Sequence, residues 1–151
     1  MEYLNNLIQA CERAKQALPI RDFVITHPRD IPTNIKKGIY VIQEVGGDID
    51  DTFQLFIQFK NTKLKSCCKI NHPSRVLYVG SSTTGLHKRL RQHLVKCHEK
   101  TYSLHLYHWF EGKYEIHIKE YDEDGHIIQL IEDNISHKLK PAFGKQGGNN
   151  K

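Results

Sequence analysis

The sequence has 151 residues, 38% of them hydrophobic and 26% charged, with a net charge of +5, the composition of one globular domain with a basic tilt. No run approaches the roughly 18 apolar residues that cross a bilayer, and Glu2, Asn5 and Asn6 stand where a signal peptide would be apolar, so the expectation is a soluble, intracellular (cytoplasmic) protein with no membrane partner. The charge tilt suits a polyanionic partner without requiring one.

Residues 2–18 set Leu4, Leu7, Ile8, Cys11, Ala14 and Leu18 at helical spacing before Pro19, which predicts an amphipathic helix packed on the core. Pro28 and Pro32 flank the short run Phe23-Val24-Ile25, a brief extended piece followed by a loop. Gly38-Ile39-Tyr40-Val41-Ile42 is a β-branched and aromatic run closed by Gly46-Gly47-Asp48, and reads as a strand. Between 50 and 75, Phe53, Phe56, Ile57, Lys60 and Leu64 fit a helix capped by Asp51 or Thr52, although Phe53, Leu55, Ile57 and Phe59 also alternate; the helix is preferred. The following basic loop, with Lys63, Lys65 and Lys69, either tracks a phosphate backbone or is simply solvated.

A second apolar run, Val76-Leu77-Tyr78-Val79-Gly80, breaks at Ser81-Ser82-Thr83-Thr84-Gly85 into a basic helix predicted over 86–97. Leu86, Leu90, Leu94 and Cys97 form its dry stripe, Arg89 and His93 share another face, and Lys88, Arg91 and Lys96 add charge. With the Ser81 and Ser82 hydroxyls at its start, this junction suits phosphate. Alternation over 103–110 and again over 114–119, around Glu111-Gly112-Lys113, predicts a β-hairpin with His105, His108 and His117 at half-exposed positions. A last helix, 126–139, buries Ile127, Leu130, Ile131, Ile135 and Leu139, carries Glu132 at the stripe edge and stops at Pro141; a glycine-rich tail follows, with Phe143 able to pin it to the core. Cys11, Cys67, Cys68 and Cys97 lack paired spacing, so reduced thiols are expected rather than a zinc site with His72 or His98.

Gly38-Ile39-Tyr40, Tyr78-Val79-Gly80, Arg89 and His93 one turn apart, and Glu132 on a later helix together resemble the GIY-YIG nuclease superfamily in order, element type and chemistry. The resemblance runs from Gly38 to Pro141. It implies an α/β (α+β) fold: a small, mainly antiparallel sheet flanked by helices, with residues 1–37 as an N-terminal helix and lead-in, 38–145 as the catalytic domain with a helical insertion at 50–75, and 146–151 as a flexible tail. Two departures stand out. The insertion separates the two tyrosine strands, as in some restriction-type and repair-type members, and Gly144 occupies the position where the family often has an asparagine, so that either Asn149 or Asn150 supplies that group from the tail or the role is absent.

The activity implied is divalent-metal-dependent hydrolysis of DNA phosphodiester bonds, with RNA left open, by a monomer or homodimer. Tyr40 would be the general base or its relay, a role that calls for cationic surroundings from Arg89, Arg91 and the metal, because an ordinary tyrosine of pKa about 10 is roughly 0.1% phenolate at pH 7. Arg89 would bind the scissile phosphate. Tyr78 and His93 would orient water, phosphate or Tyr40, with His93 alternatively a proton shuttle. Glu132 would hold one Mg²⁺ or Mn²⁺. Lys63, Lys65, Lys69, Lys88, Arg91, Lys96, Ser81 and Ser82 would contact nucleic acid. The alternative is a binding module on the same fold that no longer cleaves.

Overall fold

The computed structural model describes residues 1–97 and 100–145. Helix α1 (Glu2–Gln16) leads into strand β1 (Arg21–Ile25), and β2 (Gly38–Val45) follows after a 3-10 turn. Helix α2 (Ile49–Asn61) then precedes β3 (Val76–Ser82), α3 (Leu86–Leu94), a single-turn α4 (Leu106–Trp109), β4 (Lys113–Glu120) and α5 (Gly125–Leu139). The four strands form one antiparallel sheet in the order β1-β4-β2-β3. The α/β architecture of a small antiparallel sheet flanked by helices is as expected.

Side-chain alternation along β2 divides the core between the two sheet faces. Tyr40 and Ile42 point into the larger cluster with Leu77, Tyr78, Ile116 and Ile118, covered by Phe56 of α2 and by Leu86, Leu90 and Leu94 of α3. Ile39 points the other way, to Ile127, Ile128 and Ile131 of α5. Each of these large aliphatic side chains contributes about 1.5–3 kcal/mol through burial. The stripe expected on α3 is therefore present, although the helix ends at Leu94 instead of reaching Cys97.

Several expectations are corrected. The segment 103–110 is not a strand, and there is no hairpin with β4: His105 adopts φ 53°, and the chain coils into α4. His105 is also buried rather than half-exposed, with its Nε2 facing the carbonyl oxygens of Ser66 (2.8 Å) and Thr101 (3.0 Å). Helix α2 starts earlier than expected, because Asp48 Oδ1 accepts the Asp50 and Asp51 N–H groups and satisfies the first turn. Helix α1 has no buried residue; Leu4, Leu7 and Ile8 face outward while Ala10 and Ala14 meet the α5 cluster. Small side chains let the two helices approach closely, and Arg13 ties α1 to Glu123 at 2.9 Å.

Strand β3 lies at the edge of the sheet. Its first half is covered by the segment after Pro141, where Ala142 N–H donates to Val76 O (2.8 Å) and Phe143 N–H to Leu77 O (3.0 Å). Phe143 itself is fully buried against Phe56, ring centroids 4.1 Å apart, so it does pin this segment to the core. Beyond Leu77 the edge opens onto a cavity.

Candidate active site

The antiparallel register places Tyr40 opposite Gly80 and Ile42 opposite Tyr78, so the two tyrosines are diagonal neighbours on one face. Their rings stack with centroids 6.1 Å apart and an interplanar angle of 8°. A Cβ on Gly80 would lie 2.5 Å from Tyr40 Oη and 2.6 Å from its Cζ; only glycine lets the phenol cross the neighbouring strand.

Helix α3 presents two residues to this pair. Arg89 Nη2 donates to Tyr78 Oη (3.1 Å) and Tyr102 O (3.2 Å), while Nη1 donates to Gln92 Oε1 (2.8 Å) and Ser103 Oγ (2.7 Å). The guanidinium is thus held as a planar fork by four acceptors. His93 lies one turn further on, but it is fully buried, not on an exposed cationic face as the spacing suggested. Its Nε2 is 3.0 Å from Tyr40 Oη, and its Nδ1 is 3.1 Å from the Leu104 backbone nitrogen. A backbone N–H can only donate, so Nδ1 accepts, and the neutral ring carries its proton on Nε2 and donates it to Tyr40.

Burial holds His93 well below the usual histidine range, reinforced by the charge of Arg89 and by His105. The ring is neutral at pH 7 and already donating, which does not suit it to receive the Tyr40 proton. Burial likewise pushes the Tyr40 phenol well above its ordinary value; Arg89 opposes this, while Tyr78 and Glu132 add to it. The expected lowering of the Tyr40 pKa is therefore not seen in the free protein, and Arg91, expected to assist, is exposed and is not among the charges acting on Tyr40.

From the other side α5 brings Glu132 to the same cavity of about 450 Å³, whose lining includes Tyr40, Tyr78, Ser81, Ser82, Arg89 and Glu132. Four of the five predicted catalytic residues and both serines thus converge on one space, with His93 immediately behind Tyr40. A family model of the GIY-YIG catalytic domain matches residues 38–136. The chain belongs to the GIY-YIG family. No curated protein and no solved structure matches it significantly.

Within this GIY-YIG domain the donor set fits a hard divalent cation. Glu132 is 3% exposed, and the hydroxyl-bearing residues Tyr40, Tyr78, Ser81, Ser82 and Thr83 line the same cavity. Among the described residues Glu132 is not joined by two further His, Cys, Asp or Glu side chains in a cluster that could hold a metal ion, so it stands as the one carboxylate lining this cavity.

The remaining predicted contacts lie elsewhere. Lys88, Arg91 and Lys96 are exposed on or just after α3, and Lys69 is exposed in the loop before β3. Lys63 and Lys65 line a separate basic cavity with Lys60, Lys100 and Tyr102, and Lys65 Nζ donates to Cys97 O at 2.9 Å. Thr83, Gly125, Gln129 and Lys145 also line the catalytic cavity and are not among the predicted site residues. Gln129 was discoverable, since it precedes Glu132 by three positions on a helix and shares its face; Lys145 carries no comparable local signal. Asn149 and Asn150, and His98 of the zinc alternative, lie outside the described residues. No described helix is long and apolar enough to cross a membrane.

Proposed function

We propose that this GIY-YIG protein is a divalent-metal-dependent endonuclease that hydrolyses DNA phosphodiester bonds. The observation that carries the proposal is the convergence of Tyr40, Tyr78, Arg89 and Glu132 on one cavity at the open edge of β3. Glu132 would hold the cation, which when bound supplies charge neutralisation at the departing oxygen. Arg89 binds the non-bridging oxygens of the scissile phosphate with a charge that does not titrate, its plane set by Gln92 and Ser103.

Tyr40 is protonated in the resting site. With His93 donating to its oxygen, its own proton is directed away from His93, and the same His93 N–H would stabilise the phenolate once that proton passes to solvent water entering the cavity. Glu132 is one of the charges that hold the phenol up and Arg89 opposes it, so a cation held at Glu132 would favour Tyr40 as a base or relay. His93 is then a positioning residue, and Tyr78 orients the Arg89 fork and the phosphate. The exposed cations Lys63, Lys69, Lys88, Arg91 and Lys96, with Lys65, supply salt-sensitive attraction for the duplex backbone.

A second reading, a module that binds nucleic acid without cleaving it, is favoured by Gly144. An asparagine side chain has no room there, because a Cβ would lie 2.6 Å from the Tyr78 ring. Plasmid cleavage with Mg²⁺, with EDTA, and with the Arg89→Ala and Glu132→Ala proteins separates the two. The nuclease reading predicts nicking or linearisation that the chelator and both substitutions abolish; binding without cleavage of any duplex, branched or single-stranded DNA supports the module.

A further inference from the structure

The segment after α5 carries a cation into the cavity. Lys145 Nζ lies 3.4 Å from Glu132 Oε2 and 3.4 Å from Gln129 Oε1, with side-chain exposures of 25% for the lysine and 4% for the glutamate. Gln129 completes the arrangement by donating from Nε2 to Glu132 Oε2 (2.9 Å) and to Asp133 Oδ1 (2.9 Å). The ammonium therefore has two partners in the site, the carboxylate and the amide oxygen of the residue that braces it.

The backbone that presents Lys145 is tied on both sides. Gly144 N–H donates to Lys69 O (2.8 Å), Gly144 O accepts from Asn71 Nδ2 (2.9 Å), and Lys145 O accepts from Ser136 Oγ (3.3 Å). Gly144 makes the approach possible, with φ at +94° and the Tyr78 ring too close for any Cβ. The lysine is thus aimed at the carboxylate by a built segment.

We propose that Lys145 is the resident counter-ion of Glu132 and that a divalent cation must displace it to bind. This rests on the reading of Glu132 as the metal-holding residue. A buried carboxylate without a partner is unfavourable, so the metal-free site needs a cation, and Lys145 supplies it. A divalent ion on the same carboxylate meets the ammonium as a like charge at short range. Gln129 Oε1 offers the displaced ammonium a second acceptor, which keeps its charge inside the cavity, where the substrate phosphate can use it. The free protein accordingly binds the metal weakly, and the exchange of cations at Glu132 governs loading.

The test is Mn²⁺ binding by isothermal titration calorimetry, without DNA, to the parent and to the Lys145→Met, Lys145→Gln and Lys145→Arg proteins, with Glu132→Gln as control. Lys145→Met and Lys145→Gln should bind Mn²⁺ about fivefold or more tightly than the parent. Lys145→Arg should stay near the parent, and Glu132→Gln should lose the binding. Thermal melts in EDTA and in Mn²⁺ give a second readout: the metal should raise the melting temperature of Lys145→Met more than that of the parent. Equal affinity in parent and Lys145→Met, weaker binding in Lys145→Met, or no metal binding to any of the proteins overturns the proposal. Cleavage by the parent alongside equal affinities would overturn the counter-ion role and leave the nuclease reading standing. Tighter binding by Lys145→Met with no cleavage by any protein would do the reverse.

Discussion

Replacing Gly80 with alanine tests whether the crossing of Tyr40 over β3 is the arrangement the site depends on. The added Cβ would stand 2.5 Å from Tyr40 Oη and 2.6 Å from Cζ, and relief to ordinary contact at 3.5 Å or more needs a shift of about 1 Å. Tyr40 has little freedom to make it, being fully buried, stacked on Tyr78 and held at 3.0 Å by His93. A 1 Å displacement stretches that hydrogen bond beyond its useful range. Overpacking costs about 1–3 kcal/mol and the lost hydrogen bond about 1 kcal/mol more, for a total loss of stability of roughly 2–4 kcal/mol. A misplacement of that size at a reacting group slows chemistry by about a hundredfold. Urea unfolding and the rate of plasmid nicking by Gly80→Ala against the parent measure both effects. Parent-like values in both would refute the argument, because they would mean that the phenol does not need the space above Gly80.

Arg89→Lys keeps the charge but cannot span Gln92, Ser103, Tyr78 and Tyr102 together; cleavage should fall about 10²–10³-fold, with circular dichroism unchanged. For His93, burial lowers the folded pKa below the unfolded value of about 6.5, so between the two the unfolded chain binds the extra proton and stability rises with pH. Stability is then complete above pH 6.5 and falls on acidification, and urea midpoints measured from pH 7.5 to 5 should decline more steeply for the parent than for His93→Gln. Gly144→Ala combines a φ of +94° with a Cβ 2.6 Å from the Tyr78 ring, and should lower stability by about 2 kcal/mol or more in the same urea assay.

Local pattern carried the sequence reading where a residue's partner is close along the chain or on a regular face. Leu86, Leu90 and Leu94 lie on one side of α3 whatever they meet, and Tyr40, Tyr78, Arg89 and Glu132 belong to an ordered motif. His93 shows where that stops. Spacing put it with Arg89 on a polar face, yet its hydrogen-bond partner Tyr40 is 53 positions away, and that pairing takes the ring inside. The alternation of 103–110 suggested a strand, but the left-handed turn at His105 and the bond from Trp109 Nε1 to Leu104 O (2.7 Å) fold the segment on itself. In α1 the spacing predicts that the large apolar residues enter the core, whereas close packing on α5 selects Ala10 and Ala14. Lys145 was invisible for the same reason as the burial of His93: its meaning depends on Glu132, reached through the return of the chain along β3.

That return leaves β3 only half covered, with consequences for how copies of the protein can associate. An uncovered strand edge ordinarily invites another chain to extend the sheet. Here residues 142 and 143 occupy the edge beside Val76 and Leu77, and the rest of it forms a wall of the cavity. Continuing the sheet through β3 would fill the space that the proposed function reserves for a phosphate. Self-association compatible with an open site therefore has to use other surfaces, such as the outer edge at β1 or the exposed face of α1, where Leu4, Leu7 and Ile8 point outward.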